Sequence, residues 1–171
     1  MTTQGEPGMP VVVAAEHTAF SAWRLLLHTH GLLVGGLDDV LRREAGMPLG
    51  WYDVLVHVVE APGGTIRLRD LERRVLISQS SVSRLAVRLE RARLLTRTVP
   101  DDDRRAVDVT LTAEGARRVA EARGVAMAYL RENFVARLEP GQDRQVLDAL
   151  RRVCAGLGSV PELPGGRPGR E

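Results

Sequence analysis

Between residues 78 and 111 the apolar residues change their spacing from the period of a helix to that of a strand, a switch that neither an all-helical bundle nor a β sandwich accommodates. In "SQSSVSRLAVRLERARLLTRTVPDDDRRAVDVTLTAEG", residues 78–115, Val82, Leu85, Ala86 and Leu89 recur at i, i+3, i+4 and i+7, the spacing of one helix face. Leu95, Arg97 and Val99 then alternate, as do Val107, Val109 and Leu111, which is the pattern of two strands. Ser78 is a good N-cap. The stretch therefore reads as a helix from Gln79 to about Arg93 followed by a hairpin, whose tip packs Asp101, Asp102, Asp103, Arg104 and Arg105 side by side. Upstream, Leu68, Leu71 and Val75 predict a short helix ending near Ile77. Two short helices across a tight turn form a helix-turn-helix pattern.

The rest of the chain reads as helices around this centre. Phe20, Trp23, Leu27, His30, Val34, Leu37 and Leu41 step by three and four, with a second row of Leu26, Leu33 and Val40 beside them. A helix with two apolar faces has more to bury than one small domain offers, so it is expected to pack against a second chain. "GMPL", 46–49, ends it. Trp51, Val54, Leu55, Val58 and Val59 form a short amphipathic helix stopped by "APGG", and "TIR", 65–67, reads as a small strand. Thr112 caps a helix carrying Val119, Met127, Leu130, Phe134 and Leu138, which "EPGQ" breaks; a last helix holds Val146, Leu147, Leu150, Val153, Cys154 and Leu157. Aromatics are only 4% of the chain, so the core is expected to be helix on helix. Residues 1–13 read as a flexible start and 158–171, rich in Gly and Pro, as a disordered tail.

All 24 basic residues are arginine and the net charge is only +2. Their placement is more informative. From Arg67 to Arg105 there are eleven arginines against six acids, an excess of five positive charges, so the remainder is net negative by three. A basic middle between more acidic ends suits a polyanion. With Val82 at the centre of the buried face of the 79–93 helix, Ser80, Arg84 and Arg91 lie opposite it and Ser83, Val87 and Arg88 on the flanks. Small polar side chains such as Gln79, Ser80 and Ser81 let a helix enter the major groove, and an arginine one turn on can grip guanine O6 and N7 with two hydrogen bonds. The same face also suits a merely solvated helix. In a winged helix the hairpin tip reaches the adjacent minor groove, whose negative potential attracts arginine. A carboxylate that hydrogen-bonds the loop would hold such an arginine ready, so Asp103 beside Arg104 and Arg105 is no contradiction.

The run from 78 to 115 resembles the MarR family of bacterial winged-helix regulators, whose wing reads D-x-R or D-R-R followed by an apolar strand and L-T-x-x-G. Here these are Asp103, Arg104 and Arg105, then Leu111, Thr112 and Gly115. The helix order is similar to the family's from about residue 14 to 157. The resemblance implies a mostly α (α+β) fold: a winged helix-turn-helix with long N- and C-terminal dimerisation helices. The DNA-binding lobe would span 48–111, and 14–45 and 112–157 would form a homodimer on an inverted-repeat operator. Arg105 matches the wing-tip arginine and Asp103 the acid that positions it. Family members are more often repressors, and many sense small anionic aromatic compounds in a cleft between dimer helices and lobe. Trp23, His30, Trp51 and Tyr52 are the residues that would line it, unless they are simply core.

Other classes find less support. His28 and His30 are about 200° apart on a helix and no H-x-x-x-H pair exists, so no metal is expected. Cys154 reads as a buried structural thiol, and the first helix has no cysteine to match that of peroxide-sensing relatives. There is no nucleophile, base or Gly-rich phosphate constellation, hence no enzyme and no cofactor are expected. The start lacks a basic n-region and no apolar run reaches membrane length, so the expected place is the cytoplasm. The alternative to a DNA-binding regulator is a winged-helix module that docks on protein.

Overall fold

A computed structural model describes residues 11–75, 79–101 and 103–158. The side chains of 11–16, Gln79 and Ser80 lie outside the description, as do Ser78, Asp102 and the tail beyond Gly158. The chain separates into two compact units, one up to Gly36 and one from Leu37.

The first unit is the greater part of α1, Val11–Ala45. Its apolar rows form as the spacing predicts, yet they are open to solvent: Phe20 is 63% exposed, Trp23 53% and Leu27 52%.

The second unit begins at the end of α1 and continues through α2 (Leu49–Val59), a 3-10 turn at Pro62–Gly64, β1 (Thr65–Arg67), α3 (Leu68–Arg74), α4 (Gln79–Arg91), β2 (Leu95–Thr98), β3 (Asp108–Leu111), α5 (Ala113–Asn133) and α6 (Gln142–Gly156). The strands form an antiparallel sheet in the order β1-β3-β2. One apolar core gathers Leu41, Met47, Val54, Leu55, Val58, Ile66, Leu71, Val82, Leu89, Leu95, Val109 and Val119 from every α-helix and strand between α1 and α5. It contains no aromatic residue, in line with the composition, although Trp51 and Tyr52 pack on its margin.

Four features differ from the sequence reading. α3 stops at Arg74, short of Ile77. The strands are shorter than their alternation, so Val99 and Val107 belong to the loop. α5 ends at Asn133, and Phe134 to Leu138 pass through a 3-10 turn. At that end the Asn133 side-chain amide donates to the Tyr129 carbonyl at 3.0 Å, the local side-chain bonding by which asparagine competes with helix continuation. Cys154, expected to be buried, is only half-buried, because α6 has no buried residue to pack it among.

Long-range hydrogen bonds brace the junction of α1 and α2. The Leu49 amide donates to Asp38 Oδ1 at 2.7 Å, and Arg42 Nε to Asp38 Oδ2 at 2.7 Å. Pro48, at the N-cap position, makes no side-chain cap, so Asp38 supplies from α1 the acceptor that α2 lacks. On the other side, Arg118 Nη2 donates to the carbonyls of Ala45 (3.1 Å) and Gly46 (3.2 Å), a cation on the open C-terminus of α1. The Arg42 hydrogen bond, helped by the Leu49 amide and opposed by burial, holds the Asp38 carboxyl below its ordinary pKa. Its stabilisation is thus present above the unfolded carboxyl's pKa and lost as pH falls through the lower folded value. Asp38→Ala is expected to cost about 1 kcal/mol near neutral pH. In thermal melts the gap from wild type should close as pH drops below about 4; a gap constant down to pH 2 would refute the charge-dependent role.

Candidate nucleic-acid interface

The amphipathic α4 buries Val82, Ala86 and Leu89, half-buries Leu85 and Val87, and leaves Arg84, Arg88 and Arg91 exposed. These arginines are spaced i, i+4, i+7 and form one cationic stripe. Gln79 and Ser80 open the helix. Ser81 is half-buried, and Ser83 is turned towards α3, where its hydroxyl donates to Glu72 Oε1 at 3.0 Å. That bond ties the two helices of the pair together.

The C-terminus of α4 is closed by a paired cap. The Leu94 amide reaches the Leu89 carbonyl and the Arg93 amide the Glu90 carbonyl, both at 2.9 Å, with Arg93 in the left-handed region at φ 60°, a Schellman ending with a non-glycine at its turning position. A side chain there costs on the order of 1 kcal/mol relative to glycine. Arg93→Gly should accordingly raise stability by up to about 1 kcal/mol in denaturant melts, and a loss instead would show that the Arg93 side chain has a stabilising role of its own.

The wing follows. β2 and β3 pair with Thr98 opposite Asp108, and Arg97 Nε donates to Glu90 Oε2 at 2.9 Å, pinning β2 to α4. In the connecting loop Asp103 turns the chain: its amide donates to the Pro100 carbonyl (3.3 Å) and its own carbonyl accepts from Ala106 (2.9 Å). Asp103 Oδ1 accepts from the Arg105 backbone amide at 3.0 Å. Arg104 and Arg105 are exposed. The acidic tip is therefore a folded turn in which one carboxylate organises the backbone that carries the arginines.

Sequence reasoning missed Arg67. It ends β1 opposite Asp108 in the register, with Nη1 3.5 Å from Asp103 Oδ2 and Nε 3.9 Å from Asp108 Oδ1. No local pattern marks it, because the pairing of β1 with β3 creates the contact. Glu72 and Glu90, which brace α4, were missed for the same reason.

The residues expected to line an effector cleft belong to the two units separately. Trp23 and His30 are exposed on α1; Trp51 and Tyr52 are half-buried on α2 against the core. Burial, offset in part by Arg123, pushes the Tyr52 hydroxyl above its ordinary pKa, so it stays a neutral donor at physiological pH. Among the described residues no group of three or more His, Cys, Asp or Glu could hold a metal ion, and no helix is long and apolar enough to cross a membrane.

The architecture and the wing motif meet in the comparisons with known proteins. Residues 45–106 match the model of the MarR family, and solved structures of that family superpose on 76% to 91% of the chain. The chain is thus similar to the MarR family over residues 45–106 and shares the fold of that family's solved structures. The MarR-family regulator AbsC of Streptomyces coelicolor is 26% identical, with a TM-score of 0.76 over 91% of this chain and 99% of its own. Sco3205, a MarR-family regulator of the same organism solved in complex with DNA, is 29% identical, with a TM-score of 0.75 over 85% and 91%. BpsR of Bordetella bronchiseptica, whose DNA binding is regulated by 6-hydroxynicotinic acid, is 25% identical, with a TM-score of 0.67 over 76% and 90%. No curated protein matches the chain by sequence. The winged-helix fold of the solved MarR-family structures, with six α-helices and a three-stranded antiparallel sheet among the described residues, is thus the fold of this chain.

Proposed function

We propose that this protein is a MarR-family, sequence-specific double-stranded DNA-binding repressor, acting as a homodimer on an inverted-repeat operator and released by a small aromatic or anionic effector. The observation that carries the reading is the stripe of Arg84, Arg88 and Arg91 on the exposed face of α4, flanked by a wing with exposed Arg104 and Arg105. In this reading Gln79, Ser80 and Ser81 enter the major groove, Arg84 reads a base edge, and Ser83, Arg88 and Arg91 lie along the backbone. Arg105 enters the minor groove, Arg104 meets phosphate, and Asp103 holds both in place. The likeness to Sco3205, which binds DNA, supports the assignment of 48–111 as the DNA-binding lobe.

The dimer is supported by surface that one chain leaves uncovered. Phe20, Trp23, Leu25 and Leu27 on α1, Leu147, Leu150 and Val153 on α6 and Leu157 just after it are all exposed, more apolar area than a monomer ordinarily presents. Residues 14–45 and 112–157 supply it in this reading, and a dimer turns one recognition helix into two. An effector releases DNA by favouring a dimer whose recognition helices are wrongly spaced. BpsR supplies the precedent of an aromatic acid, and Trp23, His30, Trp51 and Tyr52 are the proposed lining.

Selection from random double-stranded DNA tests the core of the proposal. The expected product is an inverted repeat with half-sites about one helical turn apart; no enrichment would leave a winged helix that docks on protein. Sedimentation at micromolar concentration should show a dimer, and a monomer would remove the palindrome. Aromatic acids should quench tryptophan fluorescence and lower DNA affinity together; a broad panel that moves neither would remove the effector.

A further inference from the structure

Asp103 uses its two carboxylate oxygens for different partners. Oδ1 accepts from the Arg105 amide at 3.0 Å, while Oδ2 lies 3.5 Å from Arg67 Nη1. Arg67 comes from β1, outside the wing, and is half-buried, with its side chain 32% exposed. Its Nε lies 3.9 Å from Asp108 Oδ1, a buried oxygen with no hydrogen-bond partner among the described residues. A carboxylate oxygen buried in that way is costly unless a cation stands close by. The Arg67 guanidinium therefore faces the acid at the foot of β3 and the acid at the tip of the loop together. The backbone supports the same geometry: the Leu68 amide, next in the chain, donates to the Val107 carbonyl at 2.8 Å.

We propose that Arg67 is the positioning residue of the wing, a latch from β1 that holds Asp103 and, through it, the backbone of Arg105. The loop 99–107 is anchored by the ladder only at its two ends. An arginine on a loop that must order upon binding loses affinity to the entropy of ordering. A latch made before binding lowers that cost without adding a contact to DNA. Arg67 and Arg105 also flank one recess of about 200 Å³, with Leu68, Arg69, Glu72 and Val107, so β1, α3 and the wing tip are already packed into one surface.

The role of the latch in DNA binding rests on the proposed function, whereas the latch itself can be tested without DNA. In the full-length protein, Arg67→Gln should speed hydrogen exchange of the Arg105 amide about fivefold or more while amides of the α5 core keep their protection. Unchanged exchange at Arg105 would overturn the latch. On an operator with A·T-rich flanks, Arg67→Gln should lower affinity about fivefold with an unchanged salt slope, and Arg67→Lys should recover part of it. Combined with Arg105→Ala the loss should equal that of Arg105→Ala alone, because one residue acts through the other. Additive losses with a salt slope reduced by about one would make Arg67 a phosphate contact instead and overturn the positioning role. If Arg105→Ala itself leaves affinity unchanged while exchange in Arg67→Gln is still faster, the wing reading fails and the latch stands as a structural feature.

Discussion

Gly115→Ala is expected to destabilise the protein by about 3 kcal/mol or more, enough to unfold a marginally stable domain. Gly115 sits in the first turn of α5 and is fully enclosed. A Cβ built there would lie 1.8 Å from the Leu94 carbonyl oxygen and 2.8 Å from its carbon. Both are backbone atoms, so no rotamer change relieves the clash. Nor can the backbone retreat freely: Leu94 O accepts from the Thr112 amide at 3.2 Å, and Thr112 Oγ1 donates to the Arg93 carbonyl at 2.7 Å while accepting from the Gly115 amide at 2.9 Å. The start of α5 is thereby clamped to the turn between α4 and β2, and the missing side chain is what permits the approach. Ala116→Gly, one residue on and exposed, is the control and should cost only the difference in helix propensity, about 1 kcal/mol. Denaturant melts of the two variants decide the matter; a Gly115→Ala loss no larger than the control's would mean that the clamp yields at little cost.

Arg84→Ala should weaken operator binding by about 1–3 kcal/mol and relax preference at one base position in each half-site. Arg84 projects from the exposed face one turn after Ser80, where a guanidinium can reach a purine edge. Arg91, two turns further on the same stripe, should behave otherwise. Its replacement by alanine is expected to weaken all sequences alike and to lower the salt slope by about one, as for a lost phosphate contact. Measuring both variants against a set of single-base operator changes separates the roles. A uniform loss for Arg84→Ala would reassign it to phosphate and shift base reading to the polar residues at the start of α4.

The motif that carried the family resemblance has a local physical content that explains why it could be read without a structure. In L-T-x-x-G, Thr112 caps its own helix and Gly115 vacates the space beside it, three residues apart in one turn. The stripe of α4 is likewise a matter of period, since the face opposite Val82, Ala86 and Leu89 has to be the exposed one. Asp103 and Arg105 are neighbours, and their turn closes within the loop.

What the sequence by itself determined, then, was a set of features fixed by contacts within a turn or two of the chain: the helices, though not all of their ends, the hairpin, the wing turn and the Thr112 cap. Tertiary structure decided the rest. Asp38 caps α2 only because the chain reverses at Gly46, where φ is 58°. Glu72 meets Ser83 only once α3 and α4 are packed, and Arg67 meets the wing only because β1 pairs with β3, some forty residues downstream. Each of these side chains is an ordinary charged residue in a chain with many, and a charge carries no period that names its partner. Helical and strand spacing are properties of the backbone and repeat along it; an ion pair across a fold is defined by distance alone, which exists only after the core has brought the elements together.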